Sequence, residues 1–155
     1  MKTARFLLAA AAFACCAGTA IAQNTSLRAN YGELELEAGF ANDPRVISLR
    51  AGGDRPASRV DSSCRGFITN APDVRLHYDA GSLPLIISVD AGSDTTLVVN
   101  GPNGEFYCDD DSGEGTNPSI RLNNPDSGRY EIWVGTYSSG NSQPARLYIS
   151  EVSSR

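Results

Sequence analysis

The sequence of 155 residues is acidic, with 18 Asp and Glu residues against 13 Lys and Arg residues and a single histidine. The formal charge of −5 argues against nucleic acid and anionic membrane surfaces as partners, because both require a basic face. The length is sufficient for one domain with a hydrophobic core.

The first 22 residues are typical of a signal peptide. Two basic residues supply a positive start, the apolar stretch Phe6 to Ala14 follows, and Ala20-Ile21-Ala22 is a small-x-small cleavage pattern. We expect an exported mature chain that begins at Gln23, whose 11 basic and 18 acidic residues give a formal charge of −7. The apolar stretch is too short to predict a membrane span.

Short runs of alternating apolar and polar residues, separated by turn residues, predict an all-β protein. Leucine and glutamate alternate from Glu33 to Glu37, whereas Leu83 to Val89 is continuously apolar, as expected for a central strand covered on both faces. In chain order, the predicted strands are 33–37, 45–50, 74–79, 83–89, 95–100, 105–108, 119–122, 130–135 and 145–151, with a loop at 51–63. These strands predict a two-sheet antiparallel β-sandwich or jelly roll.

We expect residues 23–63 to join a sandwich that residues 64–155 form. The leucine stripe of the first predicted strand needs a cover, and edge strands of a sheet need protection. The N-terminal segment is therefore predicted to supply edge strands and a loop.

Cys64 and Cys108 are the two cysteines of the predicted mature chain. An exported chain with two cysteines most simply forms one disulfide, which would close a loop of about 45 residues and contribute about 4 kcal/mol in the chain-entropy model. The alternative, two free thiols, does not suit an oxidising compartment.

A series of features in the second half of the chain follows a recognisable order. An apolar strand precedes the run from Ser93 to Leu97, and a Gly-Pro-Asn-Gly turn, the acidic run, an Asn-Pro-Ser-Ile strand start and the stretch Ser127 to Val134 come after it. In this order the stretch from Cys64 to Glu151 resembles the bacterial pre-peptidase C-terminal domain. The resemblance implies a non-catalytic β-sandwich that accompanies secreted proteases. Some such modules bind Ca²⁺, and some serve substrate adhesion or secretion.

The acidic run Asp109-Asp110-Asp111 is the most informative motif of the chain. Adjacent carboxylates repel one another, so a fold tolerates them in water or around a cation, and Ca²⁺ takes six to eight oxygen ligands. The family pattern implies Asp94 and Asn117 as further ligands, although the spacing does not match an EF-hand loop. A calcium site and a solvated acidic loop remain the two interpretations.

Two Asp-Ser-Gly segments, at Ser112 and Ser127, are similar to the nucleophile segment of chymotrypsin-like proteases. A serine nucleophile needs a histidine base that a carboxylate orients. The one histidine, His77, lies on an alternating strand and is expected to face solvent, and Asp-Ser-Gly is also a common turn sequence. We therefore expect no enzymatic activity, with a secreted serine-protease-class enzyme, or its accessory, as the alternative.

Three aromatic residues, Trp133, Tyr137 and Tyr148, are out of phase with the apolar faces of their strands. Rings on an exposed face would stack on a sugar or a peptide. The other interpretation, which we favour, is that they pack under a loop or in a second small cluster.

The sequence therefore predicts an exported, periplasmic or secreted β-sandwich that binds or accompanies an extracellular protein or glycan. Calcium is its candidate structural ion. A structural component of the cell envelope or surface is a further alternative.

Overall fold

The structure, a computed structural model, describes residues 24–155, and the predicted signal peptide lies outside the described residues. The elements are β1 (Glu33–Glu37), β2 (Arg45–Gly52), β3 (Arg55–Pro56), a 3-10 turn (Ala57–Arg59), β4 (Phe67–Ile68), β5 (Val74–Asp79), β6 (Leu85–Ala91), β7 (Thr95–Asn100), β8 (Phe106–Asp109), β9 (Ser119–Leu122), β10 (Gly128–Thr136) and β11 (Ser142–Ser150). In this part of the chain, no helix has the length and apolar character needed to cross a membrane.

Two sheets build the fold, which confirms the predicted all-β class. In sheet A, β10 lies between β5 and β7, with β1 beyond β5, β8 beyond β7, and the short β4 and β3 at one end of β10. In sheet B, the strand order is β2-β11-β6-β9. All nine predicted strands are present, and each end lies within three residues of its predicted position.

One strand pair departs from the antiparallel prediction. β1 runs parallel to β5, with Glu33 opposite Arg75 and Glu37 opposite Asp79. A parallel pair needs a long crossover between its strands. Here β2 supplies that crossover, because it lies between β1 and β5 in the sequence but belongs to sheet B.

The main core lies between the sheets and is built from the inward-facing residues of both. Its fully buried members include Leu76, Leu97, Ile132 and Val134 from sheet A and Ile87, Val89, Leu147 and Ile149 from sheet B. The outward-facing Ile86 and Ser88 of β6 are also buried. The C-terminal residues help to cover this face, since the Arg155 backbone N–H donates to Ser88 Oγ. The prediction that this strand is covered on both faces is therefore confirmed.

A second, smaller core lies on the outer face of sheet A. Trp133 of β10 and Val98 of β7 pack there with Ile68, and Ala57 and Cys64 cover them from the loop side. Both faces of β10 are thus buried along much of its length.

Candidate functional site

The three carboxylates of the acidic run differ in their contacts, because Asp109 is hydrogen-bonded to the loop that follows it. Its Oδ2 accepts the backbone N–H groups of Ser112 and Ser119 at 2.9 and 2.8 Å, and its Oδ1 accepts the Ser112 hydroxyl at 2.6 Å. Asn117 is also occupied, accepting from the Thr95 hydroxyl at 2.8 Å and donating to the Ala91 carbonyl at 3.1 Å. These two predicted ligands therefore already have protein partners.

The other three predicted calcium ligands lie within electrostatic range of one another. Burial, together with the negative charges of Asp111 and Asp110, raises the pKa of Asp94 above its ordinary value. Among residues 24–155, however, no group of three or more His, Cys, Asp or Glu side chains is arranged to hold a metal ion. Calcium binding by the five predicted residues therefore stays a prediction, with Asp109 and Asn117 already hydrogen-bonded to the protein.

We expect Asp109→Ala to lower the free energy of unfolding by about 2 kcal/mol, because two backbone N–H groups lose their acceptor. Its neighbour Asp110 makes no side-chain hydrogen bond to the described residues and provides the matched control. Asp110→Ala should change stability by less than about 0.5 kcal/mol. Chemical denaturation measures both variants, and equal losses would contradict the role given to Asp109.

Thermal unfolding in calcium and then in chelator tests the metal prediction separately. A midpoint that calcium raises in the parent chain, but not in the Asp110→Asn, Asp111→Asn variant, would support a cation at these residues. Equal midpoints in calcium and chelator would exclude it.

The disulfide between Cys64 and Cys108 is formed, with a Cα–Cα distance of 5.2 Å. It joins β8 to the segment that follows the 3-10 turn, and this segment covers Trp133. The bond therefore fastens the cover of the second core, a role that the cysteine count alone did not indicate.

The three aromatic residues predicted as ligand contacts do not form one exposed face. Trp133 is 0% exposed in the second core, so its assignment to a surface contact is corrected in favour of the packing interpretation. Tyr148 is also buried and lies on sheet B, with the Arg146 and Arg155 guanidinium carbons 6.0 and 5.7 Å from its ring centre. Of the three, Tyr137 alone is exposed, at 47%.

A buried ionic network lies on the outer face of sheet A, beside the second core. The Arg75 guanidinium donates through Nε to Glu131 Oε1 at 2.7 Å and through Nη1 to Glu33 Oε1 at 2.9 Å. Its Nη2 donates to the carbonyls of Thr25 and Leu27. Glu131 is 1% exposed, and among the described residues its Oε2 has no hydrogen-bond partner. The hydrogen bond to Glu131 raises the pKa of Arg75 above its ordinary value.

His77 is half exposed beside this network and is not paired with a serine. Its Nε2 lies 3.4 Å from Glu33 Oε2. The Ser127 hydroxyl accepts the Ala80 backbone N–H and donates to Asp79, and the Ser112 hydroxyl donates to Asp109. In the part of the chain that the structure describes, neither serine is hydrogen-bonded to His77, so the histidine base that a serine nucleophile needs is not in place.

A cavity of about 500 Å³ opens at one end of the sandwich, and none of the predicted site residues lines it. It lies where β2 ends and β11 begins, and Tyr31, Arg50, Asp54 and Asn141 are among its lining residues. We call it the Tyr31 cavity. Gly53 packs directly against the backbone of Ile68 in β4. A Cβ added to Gly53 would lie 1.9 Å from the Ile68 carbonyl carbon, so only glycine fits at this point of the cavity wall.

Asp73 is the buried carboxylate of the Tyr31 cavity. Its Oδ2 accepts the Val134 backbone N–H at 2.8 Å, and its Oδ1 accepts from Asn30 Nδ2 at 3.1 Å. Burial raises the pKa of Asp73 to about 6, outweighing the hydrogen bonds from Val134, Asn30 and Thr69 that lower it. No local pattern in the sequence indicates this role, because Asp73 follows an ordinary Ala-Pro turn and its partners lie 43 and 61 residues away.

The raised pKa of Asp73 predicts a loss of stability between about pH 4 and pH 6. The folded state holds the proton more tightly than the unfolded state, whose carboxyl titrates near 3.8, so stability falls as the pH rises through this window. Two pKa units correspond to about 3 kcal/mol. We expect the free energy of unfolding of the parent, relative to Asp73→Asn, to fall by about that amount between pH 4 and pH 7.

Denaturant titrations at both pH values measure this difference. Asp61→Asn is the control. Hydrogen bonds from Ser63 lower the pKa of that exposed carboxyl, so the stability of the parent relative to Asp61→Asn should rise with pH instead of falling. A difference between parent and Asp73→Asn that does not vary with pH would contradict the buried titration.

Comparison with known families finds a match in the second half of the chain. Residues 75–136 match the family model of the bacterial pre-peptidase C-terminal domain, which confirms the predicted resemblance over that segment. The matched segment runs from β5 to the end of β10 and includes the acidic run. Among curated proteins, none matches this chain.

Among solved structures, a crystal structure of Aeromonas hydrophila PliG, a periplasmic lysozyme inhibitor of g-type lysozyme, is similar to this chain. The sequence identity is 18%, the TM-score is 0.38, and the similarity covers 76% of this chain and 96% of that chain. A likeness at this level carries no argument about what this chain binds.

Proposed function

We propose that this chain, whose residues 75–136 match the bacterial pre-peptidase C-terminal family, is an exported, non-catalytic β-sandwich module that binds an extracellular or periplasmic protein or glycan. A disulfide between residues 44 positions apart supports export, because such bonds persist in oxidising compartments. The family match supports an accessory module, and the acidic charge supports a partner other than nucleic acid.

We propose a non-catalytic role because the candidate catalytic side chains already contact other partners. His77 faces Glu33, Ser127 is bonded to Asp79 and Ala80, and Ser112 is bonded to Asp109. Hydrolysis by a serine nucleophile needs a base in hydrogen-bond reach of the hydroxyl. These contacts instead hold the ends of strands and a loop, which suits a binding scaffold.

Peptide hydrolysis tests the proposal directly. We expect the exported chain to leave casein and short chromogenic peptides intact, and Ser112→Ala and Ser127→Ala to behave as the parent does. Activity that either serine variant abolishes would replace the proposed function with the protease alternative. Cell fractionation, with a thiol count under denaturing conditions, tests export. A cytoplasmic chain in which the thiols of Cys64 and Cys108 are free would contradict it.

Retention on a ligand tests the binding part. A chain immobilised through an engineered surface tag should retain a protein or glycan from an extracellular or periplasmic extract. Assembly into a regular surface array without any such ligand would favour the structural envelope component instead.

A further inference from the structure

The ring of Tyr31 is exposed at the border of two hollows of the protein surface. It lines the Tyr31 cavity and also a neighbouring hollow of about 610 Å³ that Arg28 and Gly32 help to form. The two hollows share Asn30 and Tyr31 as lining residues, so they adjoin one another at Tyr31. Each hollow falls in the range of ligand pockets, about 300–1,000 Å³. A ligand longer than one ring could therefore extend to either side of Tyr31.

Hydrogen bonds hold Tyr31 at both of its ends although its side chain is 41% exposed. Its backbone N–H donates to the Asp73 carbonyl at 2.8 Å, and its hydroxyl accepts the Arg50 backbone N–H at 3.0 Å. An exposed aromatic ring fixed in this way loses little conformational entropy when a ligand binds, which favours affinity.

The charges around the ring balance, which favours an uncharged ligand. Asp54 and Asp73 line the Tyr31 cavity together with Arg50, and Arg28 lies in the adjoining hollow. The Arg50 guanidinium is already engaged, since it donates to the hydroxyl and the carbonyl of Ser142. An anionic ligand would therefore find no free cation in the Tyr31 cavity.

Two polar side chains of the cavity are available to a ligand. Within residues 24–155, the Asp54 carboxylate and the Asn141 side-chain amide make no hydrogen bond to the protein. A carboxylate accepts hydroxyl protons, and an amide both donates and accepts. An aromatic platform flanked by such groups matches the chemistry of a sugar, with its apolar ring faces and its many hydroxyls.

A peptide suits this place less well than a sugar. Extended peptides commonly bind by adding a strand to a sheet edge, and β2 is an edge strand of sheet B. The Arg50 N–H of that edge already donates to the Tyr31 hydroxyl, so it is not available to a further strand.

We propose that the Tyr31 cavity binds a neutral oligosaccharide, one sugar ring of which stacks on Tyr31 while Asp54 and Asn141 bond its hydroxyl groups. This site rests on the proposed binding function and names the ligand class and the residues for it. It also takes the place of the alternative in which Trp133, Tyr137 and Tyr148 form an exposed aromatic face.

Calorimetric titration of the exported chain with cellotriose, chitotriose and maltotriose tests this site. We expect at least one of these trisaccharides to bind, and Tyr31→Ala to weaken that binding by about tenfold or more, because stacking is lost. Tyr31→Phe keeps the ring, and Tyr137→Ala removes a tyrosine of similar exposure elsewhere. Tyr137→Ala should retain the affinity within about twofold, whereas Tyr31→Phe, which loses the hydrogen bond that fixes the ring, should weaken binding by less than Tyr31→Ala does.

Asp54→Ala provides an independent variant, because this exposed side chain carries no hydrogen bond whose loss would affect folding. It should also weaken binding, and circular dichroism checks that each variant is folded. Failure of all three trisaccharides to bind would overturn the site. So would binding that Tyr137→Ala removes and Tyr31→Ala leaves intact, an outcome that keeps the proposed binding function. Hydrolysis of the trisaccharide by the chain would overturn both proposals.

Discussion

Arg75→Met is expected to lower the free energy of unfolding by about 3–5 kcal/mol. The substitution keeps the apolar stem but removes the guanidinium from Glu131, which is 1% exposed. An unpaired buried carboxylate is costly because the protein cannot replace the lost solvation. The remaining Arg129 Nε, 3.1 Å from Glu131 Oε1, belongs to a half-exposed side chain and compensates only in part.

Arg146→Met is the matched control for this experiment. Arg146 also pairs with a carboxylate, Asp90, but both side chains of that pair are largely exposed. Exposed pairs contribute up to about 1 kcal/mol, so this loss should be small. The double variant Arg75→Met, Glu131→Leu should recover part of the loss, since it leaves no buried charge. Denaturant unfolding measures all three, and equal losses for Arg75→Met and Arg146→Met would contradict the network.

Removal of the disulfide by Cys64→Ala, Cys108→Ala is expected to cost about 4 kcal/mol in the free energy of unfolding. The bond closes a loop with a sequence separation of 44 and fastens the segment that covers Trp133. Trp133 is the one tryptophan of the chain, so its fluorescence reports on this cover directly. We expect its emission to shift to longer wavelength in the variant, because water gains access to the ring.

The reducing agent dithiothreitol supplies the control. It should lower the unfolding midpoint of the parent to that of the double alanine variant and leave the variant itself unchanged. A parent whose midpoint and emission do not respond to complete reduction would show that the second core keeps its cover without the bond.

The strands were predictable because their alternation reflects a local requirement that one face meets the core. Leu34 and Leu36, for example, pack against the main core, as their spacing indicates. The short strands β3 and β4 were not predicted, since a strand of two residues is too short to show an alternation of apolar and polar residues. The parallel direction of β1 was not predicted either, because it depends on which sheet receives β2 and not on the residues of β1.

The candidate sites were less predictable than the strands, because they depend on contacts distant in the sequence. The position of Trp133 on its strand gives the face that it occupies, but the burial of that face comes from Ala57 and Cys64. Asp109 resembles its two neighbours in sequence, yet it alone accepts hydrogen bonds from Ser112 and Ser119. The Tyr31 cavity likewise joins short segments that only the closed sandwich brings together.

The position of β11 in the middle of sheet B has a consequence for biogenesis. β11 follows every other strand of the two sheets in the sequence, yet it separates β2 from β6 and pairs with both of them. Until residues 142–150 have been synthesised, β2 is therefore not joined to the β6–β9 pair, and sheet B is incomplete. A chain truncated before residue 142 would therefore lack the strand that joins β2 to β6, and its second sheet would stay open.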